Sequence, residues 1–255
     1  MKSSLLPVAG LSALLACGGG GGGSSTPAPA PAPPPSAGAF EGPWTGTLRS
    51  TTGATVTATA LVLSSGEMRY VASNGIQAVG TVAASGNAAT GSGTLYAPYG
   101  YVFPGNTTST AFSLSGSGIA STTLSGSYTS AYDSGTFAFA YNAGAKYASP
   151  VIMANVAGTY TSTMTSSGYP ISGRLTSTGA LSGSDVFGTL SGTLTAVDPA
   201  KNAFRVNVAY TPTGQAARAY SGLAFFDFSY SPVRLEVQAT GAAGQFAAEL
   251  QLVGP

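Results

Sequence analysis

The segment Phe204 to Tyr210, FRVNVAY, sets Phe204, Val206, Val208 and Tyr210 on one side of an extended chain and Arg205 and Asn207 on the other. Strict alternation of this kind marks a half-buried β-strand. The pattern recurs in TFAFAY (Phe137, Phe139, Tyr141), AFFDFSY (Phe226, Phe228, Tyr230), RLEVQA (Leu235, Val237) and FAAELQL (Phe246, Leu250, Leu252). Between such runs fall turn clusters, SSGE, SNG, ASGN, DSG and VDPAKN, at the spacing of hairpin-connected antiparallel strands. Only 7% of residues are charged, against roughly 25% in an average domain. Helix-rich surfaces need Glu and Lys, so this scarcity, with abundant Tyr, Phe, Thr and Val, predicts an all-β protein. The one helical candidate, PVIMANVAG from Pro150, is short.

The two halves echo each other. PWTGTL at Pro43 resembles TYTSTM at Thr159, GSGTL at Gly91 resembles LSGTL at Leu190, and AFSL at Ala111 resembles AFRV at Ala203. LSGSY at Leu124 and GTFAF at Gly135 find counterparts in YSGLA at Tyr220 and GQFAA at Gly244. The order is preserved, which predicts two tandem β modules, 40–145 and 146–255, joined near Ala143 to Ala157. Each offers about six to eight short strands, which lose their exposed edges by closing into a lipocalin-like barrel or pairing as a sandwich. The barrel is the favoured form.

The amino terminus has a different composition. Lys2 precedes an apolar run from Leu5 to Ala16, too short to cross a hydrocarbon core of about 30 Å as a helix. Residues 1–16 read as a signal peptide. The next segment, Leu14-Leu15-Ala16-Cys17, resembles the bacterial lipobox. That resemblance implies cleavage before Cys17, a diacylglyceryl thioether on its side chain and a further fatty acyl group such as palmitate on the new amino terminus. Several acyl chains make a stable anchor, because each buried CH₂ contributes only about 0.8 kcal/mol. Residues 17–39 then read as a tether: Gly18 to Gly23 swivel freely, and Pro27 to Pro35 form a stiff polyproline II spacer. The match of Gly18, Gly20 and Gly23 to GxGxxG has no strand before it and no helix after it. Glycine rather than aspartate after Cys17 is similar to the outer-membrane sorting class of diderm bacteria, with the folded part on the periplasmic or cell-surface face. Tether and tandem barrels together resemble a broad group of proteobacterial lipoproteins. In architecture they resemble the factor-H-binding and transferrin-binding surface lipoproteins.

Composition excludes much chemistry. The sequence holds no histidine and one cysteine, so imidazole bases, Ser-His triads, His metal sites and an intramolecular disulfide are all ruled out. No metal and no cofactor beyond the covalent lipid on Cys17 is expected. Without Lys2 the chain has eight basic and eight acidic residues, scattered along its length, which argues against nucleic acid as a partner. Neither a nucleophile elbow, nor S-x-x-K, nor a P-loop occurs. Carboxylates could pair for glycoside hydrolysis. However, Glu67, Asp133, Asp185 and Asp198 lie in turns, where such groups bind turn backbone. Arg234 and Glu236 share a strand face that reads as solvated, and Asp227 points opposite Phe226 and Phe228. Asn106-Thr107-Thr108 matches an N-glycosylation pattern that carries little meaning behind a lipobox. Alternation would also suit a transmembrane barrel, but Ser and Thr occupy too many positions on both strand faces for a lipid-facing band.

Two features suggest contact surfaces. In LYAPYGYVFPG, Tyr96, Tyr99, Tyr101 and Phe103 crowd around two prolines, forming either a rigid binding loop or a plug for a barrel end or module seam. Trp44 opens the first strand of its module, where it reads as core or as part of a ligand-binding interior. The expectation is a noncatalytic, membrane-anchored lipoprotein whose β modules bind a protein partner or serve envelope structure. An alternative is a carrier of a small apolar ligand inside a barrel, and a carboxylate-based hydrolase is a third reading.

Overall fold

The computed structural model describes residues 37–98, 100–165, 169–242 and 244–254, of which 163–165 are described by backbone alone. The leader and the tether up to residue 36 lie outside the described residues. Eight strands form the first module: β1 (Gly42–Ser50), β2 (Thr55–Val62), β3 (Glu67–Ala72), β4 (Gln77–Ser85), β5 (Ala88–Tyr96), β6 (Ser109–Ile119), β7 (Thr123–Ser130) and β8 (Ser134–Tyr141). Eight more form the second: β9 (Gly158–Thr165), β10 (Ser172–Leu175), β11 (Ala180–Ser184), β12 (Gly188–Ala196), β13 (Phe204–Pro212), β14 (Arg218–Asp227), β15 (Arg234–Gly241) and β16 (Gly244–Gly254). Each module is an antiparallel meander whose last strand pairs with its first, so both are closed barrels. Closure leaves no unpaired edge.

A barrel of eight strands has an interior just wide enough to be filled by side chains. In barrel 1 the filling is aromatic. Phe112, Phe137, Phe139 and Tyr141 turn inward, and Phe137 lies over Gly116 and Gly126, which face each other across β6 and β7. A methyl group at either glycine would stand 2.9 Å from the Phe137 ring, so the Gly-Ser-Gly pattern makes room for that ring. Outward positions on the same strands are Ser113, Ser115, Ser117, Ser125 and Ser127, all exposed. In barrel 2 the inward set comprises Phe204, Val206, Val208, Phe226, Leu235 and Val237.

Between β8 and β9 the chain runs from Asn142 to Ala157 and carries the short helix α1 (Met153–Val156). The first and last sequence echoes hold. Trp44 in β1 donates its indole N–H to the carbonyl of Phe40 at 2.9 Å. At the matching place in β9, Tyr160 donates its hydroxyl to the carbonyl of Val156 at 2.6 Å. The three middle echoes are one strand out of step: Gly91 lies in the fifth strand of its barrel and Leu190 in the fourth, while Ala111 and Leu124 begin or lie in sixth and seventh strands opposite fifth- and sixth-strand partners. Recurrent Ser-Gly-Thr composition makes neighbouring strands resemble one another as much as true counterparts do. Ala37 and Phe40 are fully buried and Gly38–Phe40 forms a 3-10 turn, so the fold begins before the expected tether ends.

The barrels stand side by side with their ends aligned. At the base, Glu41 before β1 accepts from Tyr147 at 2.8 Å and pairs with Lys201 in the β12–β13 turn. At the top, Gln245 donates to the carbonyls of Gly75 and Ala97, both at 2.8 Å. Between lies a buried cluster of Leu61 and Leu63 from barrel 1, Leu223 and Phe225 from β14, and Tyr147 from the connector. Gln238 donates to Thr59 at 3.1 Å and Arg205 pairs with Glu67 at 2.5 Å along its flanks.

This seam corrects one sequence expectation and completes another. Glu236 is not on a solvated face: it is only 3% exposed, because the outward side of β15 packs on barrel 1. Asp227 does point outward from barrel 2 but is 2% exposed, accepting from Asn142 at 2.6 Å and from Ser229. Of the four turn carboxylates, Asp185 and Asp198 bind turn backbone as expected, accepting from Phe187 and Ala200. Asp133 instead takes the hydroxyls of Ser50 and Tyr128, and Glu67 pairs with Arg69 and Arg205.

Candidate functional site: the mouth of the second barrel

Both barrel interiors are packed. The space left inside barrel 1 is about 50 Å³ and inside barrel 2 about 20 Å³, enough for a water or two. The top ends differ. Over barrel 1, the loop from Ala97 to Thr108 folds back, and Phe103 packs against the core and stacks on Tyr132 with ring centroids 5.5 Å apart. The corresponding connection in barrel 2, between β13 and β14, runs only from residue 213 to 217. The mouth of barrel 2 consequently holds a cavity of about 530 Å³.

Its floor is made by the buried side chains of Ile171, Tyr220 and Phe246, which are continuous with the barrel core. Its rim is apolar and unusually open to water. Val186 is 74% and Phe187 51% exposed, and Tyr169 meets Phe187 edge-on with centroids 4.6 Å apart. The geometry of the rim comes from Asp185: it accepts from the Phe187 amide at 2.8 Å, fixing the β11–β12 turn. It also receives the Tyr210 hydroxyl at 2.9 and 3.1 Å. Tyr210 is the cross-strand neighbour of Arg218, so an acid, a phenol and a guanidinium run in sequence around the opening. Barrel 1 repeats this hydroxyl-to-carboxylate device at its own top end, where burial and the bond to Asp133 hold the Tyr128 phenol well above its ordinary pKa.

The expected site residues fall in several places. Phe103 acts as the plug of barrel 1, whereas Tyr101 is 71% exposed on the same loop. Tyr96 ends β5 on the outward side and Tyr99 lies outside the described residues. Trp44 is buried at the base of barrel 1 against Phe40 and Tyr141. Tyr96, Tyr101, Phe103 and Trp44 do not line the mouth of barrel 2. Cys17 lies outside the described residues. The available signal for the mouth was the turn SDVFG, in which Val186 and Phe187 occupy turn positions where apolar residues have no local role.

Carboxylates come together in the seam rather than at the mouth. Glu236 faces Glu249 directly across β15 and β16. Burial, with Glu249 and Asp227 nearby, holds its carboxyl well above the usual carboxylate range. Among the described residues no group of three or more His, Cys, Asp or Glu is placed to hold a metal, and no helix is long and apolar enough to cross a membrane. No family model, curated protein or solved structure matches this chain.

Proposed function

We propose that this protein is a lipid-anchored envelope protein that binds a small, largely apolar ligand at the mouth of its second barrel, without catalysis. The observation that carries the binding reading is the contrast between two packed interiors and the open cavity of about 530 Å³ at the mouth of barrel 2, within the roughly 300–1,000 Å³ of small-molecule pockets. Exposed apolar side chains at its rim support it, since Val186 and Phe187 hold large hydrophobic area in water unless something covers them. The lipobox-like segment ending at Cys17 supports the anchor, and the hydroxyl-rich outer wall supports a barrel that faces water. The base-end position of Ala37, which donates to Ser64 at 3.4 Å, supports a mouth turned away from the tethered side.

Two measurements test this. In its own cells, Cys17→Ser should move the protein out of the membrane fraction once the leader is removed; retention of that form at the membrane would sink the anchoring reading. Native mass spectrometry of gently extracted protein should show a stoichiometric mass beyond the acyl groups, reduced by Phe187→Asp. An extra mass that persists at full occupancy in that variant would place binding elsewhere.

A further inference from the structure

Arg218 stands at an unusual position. It alternates with Tyr220 along β14, so its side chain lies on the inward face, and it lines the cavity. The four ion pairs among the described residues use Arg69, Lys201, Arg205 and Arg234. Arg218 takes part in none of them. Among the described residues, its side chain makes one hydrogen bond, from Nη2 to the Gln215 side-chain oxygen at 2.7 Å. Asp185, the carboxylate on the same rim, is committed to the Tyr210 hydroxyl and the Phe187 amide.

A guanidinium carries five N–H donors and does not lose its charge, so it favours a partner that can accept two hydrogen bonds in one plane. Resting on the binding reading above, we infer that the mouth of barrel 2 recognises an amphipathic monoanion. Its apolar body lies against Ile171, Phe187, Tyr220 and Phe246, and its planar carboxylate is held by Arg218. The division of the cavity supports this: apolar side chains form the floor and one wall, and the single uncommitted charge sits at the rim, where an anionic head keeps contact with water. A wholly apolar ligand would leave the guanidinium facing hydrocarbon, and a cationic one would be repelled by it. Asp185 already accepts from Tyr210 and Phe187, whereas Arg218 keeps most of its N–H donors for a ligand.

The test uses the full chain carrying Cys17→Ser, so that no acyl chain of its own competes for the cavity, with three probes of equal length: decanoate, decan-1-ol and decylammonium. Titration calorimetry at low salt should show decanoate binding one to one, about tenfold to a hundredfold tighter than decan-1-ol, the worth of a hydrogen bond to a charged group. Arg218→Gln should bring decanoate down to the level of decan-1-ol while leaving decan-1-ol and the thermal midpoint unchanged; Arg218→Lys should keep part of the preference. Equal binding of decanoate and decan-1-ol by the parent would overturn the inference and leave the apolar site standing, as would a preference for decylammonium or an equal loss of both probes in Arg218→Gln. If none of the three probes binds, or if Phe187→Asp leaves their binding untouched, the mouth itself is not the site and both readings fall.

Discussion

Asn202 offers the sharpest test of how the connector is held to the second barrel. Strand β13 begins at Phe204, which pairs with Ala224, so continuing the same register would set residue 202 opposite Phe226. The backbone of residue 202 is pulled away, its amide donating to Tyr147 in the connector at 2.8 Å. The side-chain amide takes its place in the ladder, accepting from the Phe226 N–H at 2.9 Å and donating to the Phe226 carbonyl at 2.6 Å. The same nitrogen also donates to Ala145 at 2.7 Å. Asn202→Ala removes all three bonds in a buried setting and strands one N–H and two carbonyls. At about 1 kcal/mol net for each bond, with some added cost for groups left unsatisfied, the loss should be about 3–4 kcal/mol. For a folded body of this size that corresponds to a fall in Tm of roughly 6–16 °C. Asn202→Asp should be at least as damaging, because it keeps the acceptor but sets a carboxylate against two carbonyls. Urea unfolding followed by circular dichroism measures the loss, and the single tryptophan, Trp44, reports barrel 1 separately by fluorescence. A loss below about 1 kcal/mol for Asn202→Ala would refute the reasoning, since it would mean that water or a shifted backbone replaces the amide at little cost.

Phe225→Ala removes the more deeply buried ring of the seam cluster and should cost about 3–5 kcal/mol; the fluorescence and circular dichroism transitions, coincident in the parent, should then separate. Coincident transitions with little loss would show that the seam does not couple the barrels. Glu236→Gln should stabilise the protein near neutral pH and change it little in acid. The folded state raises the Glu236 pKa and so favours its protonated form, chiefly by burial and then through Glu249 and Asp227, against an opposing contribution from Arg234. Its contribution is therefore full below the ordinary carboxylate value of about 4.3 and is lost as pH rises through the raised folded value. The parent-minus-variant difference in unfolding free energy, measured by urea titration from pH 4 to 8, should fall with pH; a flat or rising difference would contradict that sign.

Legibility in the sequence followed which face of each strand meets the core. FRVNVAY and TFAFAY each turn one parity into a barrel and the other toward solvent, so simple alternation reveals both the strand and its orientation. The seam obeys a different rule. ALVL at Ala60 and GLAFFDF at Gly222 are apolar at both parities, because Ala60, Val62, Ala224 and Phe226 fill the barrels while Leu61, Leu63, Leu223 and Phe225 fill the space between them. A strand buried on both faces is the pattern a second barrel imposes. Glu236 misled for the same reason: its parity is outward, and outward here means toward the neighbouring module. The cavity was hidden by the misaligned repeats. With GSGTL of β5 set against β12 rather than β13, the long loop that caps barrel 1 has no proper counterpart, and the short β13–β14 turn that leaves barrel 2 open goes unnoticed.

The alignment of the barrels gives the molecule a polarity that neither barrel has alone. Ala37, the connector from Asn142 to Ala157 and the β12–β13 turn all meet at the base, through Ala37 to Ser64, Asn142 to Pro43 and Lys201 to Glu41. The Phe103 plug, the exposed Tyr101 and the open mouth all lie at the other end, where Gln245 ties the two tops together. The largest difference in loop length between the two barrels, residues 97–108 against 213–217, falls at the end away from the point where the chain comes in. The base can be fixed by buried, directional contacts such as the Trp44 and Tyr160 bonds, because nothing there has to admit a ligand. The top can differ between the two copies, one sealed by a long aromatic loop and one left open, without disturbing closure of either barrel. Duplication of a barrel would in this way supply a rigid, packed partner that buttresses the open one, and the binding reading requires only the second mouth to stay clear.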